Sequence, residues 1–282
     1  MREIDCLIIS TGRAASTAIY KYLGVVGELN LPWNKEPHFW CDIEKHGDLY
    51  DLLCEINIRD DAAYSQLYSN SELVVDASVG YFFYIEEVIR KLSEYGQKPK
   101  VIFLYREPVS RAESLFNELK KKDTANSANV SDDIKIKKEE GLWWESYYDN
   151  VDYFDAFVKM EDYFNEIIAI NYDYFSKNQK KVISLLSSFL KVDAVQLDSL
   201  ELVPINSSKD AVVISKFRFV REFVKFLPKP IKNYIKSIIG ERLLKSQKLI
   251  QDDLTSYLSN SIAQYQAFRK HIEYKDILCT KK

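Results

Sequence analysis

The chain contains three histidines, His38, His46 and His271, and four cysteines, Cys6, Cys41, Cys54 and Cys279, in 282 residues. Neither set has the close spacing that a zinc site or a disulfide framework needs. No metal cluster is therefore expected, and the cysteines read as reduced thiols of a cytoplasmic protein. No apolar run approaches the roughly 18 to 20 residues of a membrane span. Met1-Arg2-Glu3-Ile4-Asp5 leads at once into an apolar strand, so a cleavable signal peptide is not expected either. A further absence is chemical: no Gly-Lys-Ser/Thr tripeptide follows that strand, which takes weight from ATP or GTP hydrolysis at a Walker loop.

What is present fits a folded enzyme. Hydrophobic residues make up 46%, with 19 Tyr and 15 Phe, enough to exclude disorder and to wall an adenine or a sugar ring. The length exceeds the usual domain mode of ~100 to 150 residues, but an α/β fold with a helical C-terminal part reaches it, so residues 1–282 are read as one domain.

Two segments carry the chemistry. In the first, the apolar run Leu7-Ile8-Ile9 ends in Ser10-Thr11-Gly12-Arg13-Ala14-Ala15-Ser16-Thr17, and a helical pattern begins near Ala15 with Ile19, Tyr20 and Leu23. A strand turning into a helix aims backbone N–H groups and the positive helix end at one spot. Gly12, Ala14 and Ala15 leave room for a ligand, Ser16 and Thr17 offer hydroxyls, and Arg13 adds a permanent charge. In the second, Arg106 leaves the apolar strand 101–105, Pro108 suits a first helical turn, and Ser114 follows eight residues after Arg106. The Arg106 fork and the Ser114 hydroxyl suit a second phosphate.

Arg13-Ala14-Ala15-Ser16-Thr17 and Arg106-x-Pro108-x-x-Arg111-x-x-Ser114 resemble the two nucleotide signatures of sulfotransferases that use 3′-phosphoadenosine 5′-phosphosulfate (PAPS). Lys35-Glu36-Pro37-His38-Phe39-Trp40 is similar to the Lys-Glu-x-x-Phe-Phe region of glycosaminoglycan sulfotransferases. The resemblance runs from about residue 4 to residue 192. It implies a P-loop-NTPase-like three-layer α/β fold with a central parallel sheet, PAPS as sulfuryl donor without a metal, and a carbohydrate or glycolipid acceptor. It places Gly12, Arg13, Ala14, Ala15, Ser16 and Thr17 at the 5′-phosphosulfate, Arg106 and Ser114 at the 3′-phosphate, and Glu36 at the base position. A bacterial enzyme acting before export of its product is the corresponding setting.

Chemistry asks for the same groups. Sulfuryl transfer to a hydroxyl must remove the acceptor proton while charge builds on the leaving phosphate. Glu36 is the expected base and Arg13 the expected cation, with His38 as a second proton carrier or as the group that orients Glu36. Two departures from the family pattern stand out. Ala15-Ser16 replaces the usual Gly-Thr, and Asp76-Ala77-Ser78-Val79-Gly80-Tyr81-Phe82 resembles a Glu-Lys-Ser/Thr-Pro-x-Tyr-Phe segment but lacks its Lys and Pro. No catalytic contribution is assigned to that segment.

Pattern along the chain predicts strands near 5–10, 72–76, 100–105 and 166–172, and helices near 15–24, 81–95, 108–121, 143–160 and 179–190. Residues 120–140, poor in large apolar side chains, are expected to form a mobile loop. From Lys209 to Lys248 eleven Lys or Arg stand against three Asp or Glu, in a chain whose net charge is −3. That basic amphipathic stretch is read as a core-packed helix pair with a solvated basic face, as helices that close over the nucleotide, or as peripheral contact with an anionic membrane at its inner face. Nucleic acid is not an expected partner. A P-loop-like kinase and a non-catalytic nucleotide-binding or membrane-associated protein remain the alternatives to a sulfotransferase.

Overall fold

A computed structural model describes residues 2–25, 29–31, 35–42, 58–68, 73–121, 129–139, 152–192, 254–274 and 278–280. Six strands form one sheet: β1 Cys6–Ser10, β2 Leu29–Asn30, β3 Leu73–Ala77, β4 Lys100–Tyr105, β5 Glu166–Asn171 and β6 Leu278–Thr280. Their order is β2-β3-β1-β4-β5-β6. The first five run parallel and β6 is antiparallel to β5. β1 is flanked by β3 on one side and β4 on the other, so the chain reverses direction across the sheet there, and the carboxyl ends of β3, β1 and β4 are where such a sheet is expected to form a ligand crevice.

Alternation within each strand builds two cores. Leu7, Ile9, Phe103, Tyr105 and Ile167 point to one face, where helices α4 (Ile85–Glu94), α7 (Tyr153–Tyr163) and α10 (Ser259–Tyr274) cover them with Val88, Leu92, Phe157, Met160 and Phe268. Cys6, Ile8, Ile102, Leu104 and Ile168 point to the other, under α1 (Ser16–Val25) and α9 (Gln179–Leu190), which contribute Ile19, Leu23, Val182 and Leu186. Helices on both faces make the three-layer α/β fold that the sequence implies. Burial pushes the Cys6 thiol far up, which leaves it protonated and inert.

Shorter helices complete the described residues: α2 Asp61–Gln66, α3 Gly80–Phe83, α5 Pro108–Lys121, α6 Val130–Glu139 and α8 Tyr172–Lys177. α6 corrects the expectation of a loop over 120–140. Asn129 accepts from the Asp132 N–H at 2.9 Å and opens the helix, and Val130 and Ile134, one turn apart, pack with Leu115 and Leu119 of α5. An apolar stripe this narrow escapes a composition-based reading. Two further differences are local. The helix expected over 81–95 breaks at Tyr84 (φ −120°), and the helix expected over 143–160 begins at Tyr153 among the described residues. Residues 209–248, expected as the basic amphipathic segment, lie outside the described residues.

Candidate functional site

The β1–α1 turn is wound tightly. Gly12, Arg13 and Ala15 have φ of 76°, 55° and 72°, in the left-handed region. Thr11 N–H is held by the Leu104 carbonyl at 3.0 Å, and Gly12 N–H by Ser10 Oγ at 3.2 Å. The next five N–H groups, of Arg13, Ala14, Ala15, Ser16 and Thr17, have no acceptor among the described residues. Such a run at the start of α1 is an anion-binding nest. Ala15 takes a backbone conformation suited to glycine, costing roughly 1 to 2 kcal/mol, partly offset by the greater freedom glycine gives the unfolded chain. Ala15→Gly is accordingly expected to stabilise the fold by about 0.5 to 1 kcal/mol, read as a higher urea midpoint at unchanged slope.

The second signature closes onto this turn. Arg106 is buried, donates from Nη1 to the Arg13 carbonyl at 3.1 Å, and stacks on the Tyr172 ring at 3.9 Å. Its Nε–H has no partner among the described residues. A guanidinium with an open donor, held flat by an aromatic ring, is built to receive an oxyanion. Arg13 Nε donates to Ser114 Oγ at 3.3 Å, and Arg13 Nη2 lies 3.4 Å from Glu118 Oε2. Arg13, Ser114 and Arg106 are thus brought together, although 101 residues separate the first two. Glu107 accepts from the Val109 and Ser110 N–H groups and caps α5 itself, which leaves Arg106 rather than that helix end to meet an anion. Arg111, fully buried, donates to the Thr11 carbonyl from behind and braces the turn.

Glu36 and His38 sit at the neighbouring end of β3. Glu36 is half-buried and pairs with Lys35 Nζ. His38 is fully buried with φ of 50°. Its Nδ1 lies 3.0 Å from the Glu36 carbonyl, and its Nε2 accepts from Gly80 N–H at 3.4 Å and lies 3.9 Å from Glu36 Oε2. The proton therefore belongs on Nδ1. Burial pushes the imidazole down to about 4, against the partial counter-pull of Glu36. His38 is neutral at pH 7 and is committed at both nitrogens, an arrangement that suits orientation of Glu36 better than proton carriage. Among the described residues, non-glycine left-handed backbone occurs at Arg13, Ala15, His38 and Lys191. Lys191 ends a helix, so the remaining strain collects at this crevice.

Beneath Glu36 lies a group that the sequence reading left without a role. Asp76, at the end of β3, is fully buried and accepts from Tyr64 Oη at 2.6 Å, Tyr81 Oη at 2.7 Å and Ser78 Oγ at 3.2 Å. Burial raises its carboxyl from 3.8 to about 6, while the three hydroxyls pull the other way. Because the folded value lies above the ordinary one, this group's stabilisation is complete below pH 3.8 and is lost as pH rises through about 6. Ionised Asp76 is a cost to the fold at neutral pH. An acid closing the apolar run Leu73-Val74-Val75 was the available signal in the sequence.

Among the described residues, no group of three or more His, Cys, Asp or Glu could hold a metal ion, and no helix is long and apolar enough to cross a membrane. No family model and no curated protein matches the chain. Among solved structures, a sulfotransferase from Alicyclobacillus acidocaldarius aligns over 80% of this chain and 94% of its own at 20% identity, with a TM-score of 0.61. A sulfotransferase domain from the Synechococcus PCC 7002 olefin synthase covers 76% of this chain and 88% of its own at 17% identity, with a TM-score of 0.44. The mouse sulfotransferase SULT7A1 complexed with PAP covers 82% and 70% at 16% identity, with a TM-score of 0.44. The chain has the fold of the Alicyclobacillus sulfotransferase over most of its length.

Proposed function

We propose that this protein transfers a sulfuryl group from PAPS to a hydroxyl of a carbohydrate acceptor, on a polysaccharide, oligosaccharide or glycolipid. The observation that carries the reading is the meeting of the two signatures, Arg13 with Ser114 and Arg106 with the Arg13 carbonyl, around five backbone N–H groups that have no acceptor among the described residues. A nucleotide bearing phosphates on both sides of one ribose needs two adjacent anion sites, and the unpartnered Arg106 Nε–H fits the second. The sulfotransferase fold supports the choice of sulfuryl over phosphoryl transfer, as does the absent Gly-Lys-Ser/Thr. The sugar acceptor rests on the resemblance of Lys35-Glu36-Pro37-His38-Phe39-Trp40.

When bound, PAPS supplies an activated sulfuryl group on a 5′-phosphate leaving group. Glu36 takes the proton of the acceptor hydroxyl as its oxygen bonds to sulfur and the bond from sulfur to the phosphate oxygen breaks. Arg13 and the N–H run of residues 13–17 balance the charge left on the 5′-phosphate. Arg106 and Ser114 hold the 3′-phosphate, and His38 orients Glu36 through its own ring and backbone.

Calorimetric titration with 3′,5′-diphosphoadenosine against ATP tests the donor. The diphosphate is expected to bind the tighter of the two, and a preference for ATP would move the reading to a kinase. Arg106→Ala removes a charged donor worth about 1.5 to 3 kcal/mol and should weaken the diphosphate at least about tenfold. Ser114→Ala should weaken it in the same direction by less. Unchanged affinity in a folded Arg106→Ala protein would take that residue out of the site.

A further inference from the structure

The three hydroxyls that Asp76 receives have a second engagement. Ser78 Oγ accepts from His38 N–H at 3.1 Å, Tyr81 Oη from Trp40 N–H at 3.4 Å, and Tyr64 Oη from Trp40 Nε1–H at 2.9 Å. Every hydroxyl bonded to Asp76 is therefore also an acceptor for an N–H of residues 38–40. We propose that Asp76 is a positioning residue: as a carboxylate it orients the hydroxyls of Ser78, Tyr64 and Tyr81 so that they hold residues 38–40 and, through them, the Glu36 side chain at the acceptor. This rests on Glu36 as the base.

The direction of the relay follows from proton counting. A carboxylate only accepts, so all three hydroxyl protons turn to Asp76 and each oxygen is left with lone pairs for an N–H. Both tyrosines are pushed well above 10, by burial first and by Asp76 next, and so keep their protons. A protonated Asp76 would have to donate one bond. One hydroxyl would then turn its own proton elsewhere, and its grip on residues 38–40 would weaken. The other ionisable groups facing Asp76 come from each element around it: Tyr20 of α1, Tyr68 beyond α2, and Glu36 itself, whose charge opposes ionisation. Among the described residues Asp76 has no cationic partner, so hydroxyl bonds sustain its charge. Lys91 of α4 adds an independent tie, donating to the Phe39 carbonyl with its ammonium 3.6 Å from the Phe39 ring centroid. The segment is held from two sides, and Asp76 governs the side next to Glu36.

Asp76→Asn keeps the shape but brings donors where only acceptors stood. Hydrogen exchange on the full chain, read over fragments containing residues 36–41, should show faster exchange at His38 and Trp40 than in wild type at pH 7.5. In wild type, for the local opening that frees residues 38–40 while Asp76 stays buried, the same protection, corrected for intrinsic rates, should fall as pH drops through about 6, and in Asp76→Asn it should be flat. With PAPS and an acceptor, kcat of Asp76→Asn should drop by roughly 10- to 100-fold, the size expected for a displaced catalytic group, while 3′,5′-diphosphoadenosine binds within twofold of wild type. Tyr81→Phe, which removes one hydroxyl and no charge, should expose the Trp40 amide alone and covers the case in which Asp76→Asn does not fold. Unchanged protection at residues 38 and 40 in these variants would overturn the proposal, as would an equal loss of diphosphate affinity and kcat. A wild-type protein that transfers no sulfuryl group defeats the functional reading instead, and the exchange measurements then still decide whether Asp76 holds the segment.

Discussion

Glu36→Gln is expected to lower kcat by roughly 10² to 10⁴ while leaving nucleotide affinity nearly constant. Gln keeps the shape of Glu but cannot take a proton at neutral pH. The Lys35 ammonium beside Glu36 and the ring of His38 beneath it survive the change, so the segment should stay in place. Loss of turnover with intact binding would separate chemistry from capture. The check is single-turnover sulfuryl transfer beside calorimetry with 3′,5′-diphosphoadenosine. If kcat stays within a few fold and the chemical step limits the rate, the base lies elsewhere. His38 would be a poor substitute, since both of its nitrogens are engaged and burial keeps it neutral.

Arg13→Ala should cut kcat by about 10² to 10³, the usual cost of removing one electrostatic donor from a developing oxyanion. The guanidinium bonds Ser114 and pairs with Glu118, while the backbone of the same residue opens the N–H run of residues 13–17. Arg13→Lys should retain more activity than Arg13→Ala, because a compact ammonium still balances charge although it cannot fork. Equal losses in the two variants, measured as kcat at saturating donor, would show that Arg13 acts by joining Ser114 to the turn and not by its charge.

Strand–turn–helix junctions were legible because they are local. Leu7 to Thr17 and Val101 to Ser114 each announce a strand, a turn and a helix within a short stretch, and the structure places β1, α1, β4 and α5 there. The short strands β2 and β6 were not legible, since pairing with a distant edge and not local pattern defines them. The same holds within the crevice. The residue types at Arg13, Arg106 and Ser114 suggested anion binding, but the side-chain contact of Arg13 with Ser114 spans 101 residues and only folding reveals it. Asp76 failed to register for a different reason. A lone acid at a strand end looks like a polar exit to solvent, and its meaning comes from Tyr64 and Tyr81, which reach it from two different helices. Ala15 reads as a conservative stand-in for Gly, yet its positive φ shows a conformational cost that size alone does not convey.

The central claim is that the crevice at the ends of β3, β1 and β4 moves a sulfuryl group. Incubation of the full chain with ³⁵S-labelled PAPS and a panel of glycans, tyrosine peptides and phenols tests it most directly. The expected result is label on a glycan, dependent on Glu36 and Arg13, with stoichiometric release of 3′,5′-diphosphoadenosine. Tight binding of PAPS with no label on any acceptor, while ³²P from γ-labelled ATP reaches the same panel, would contradict it.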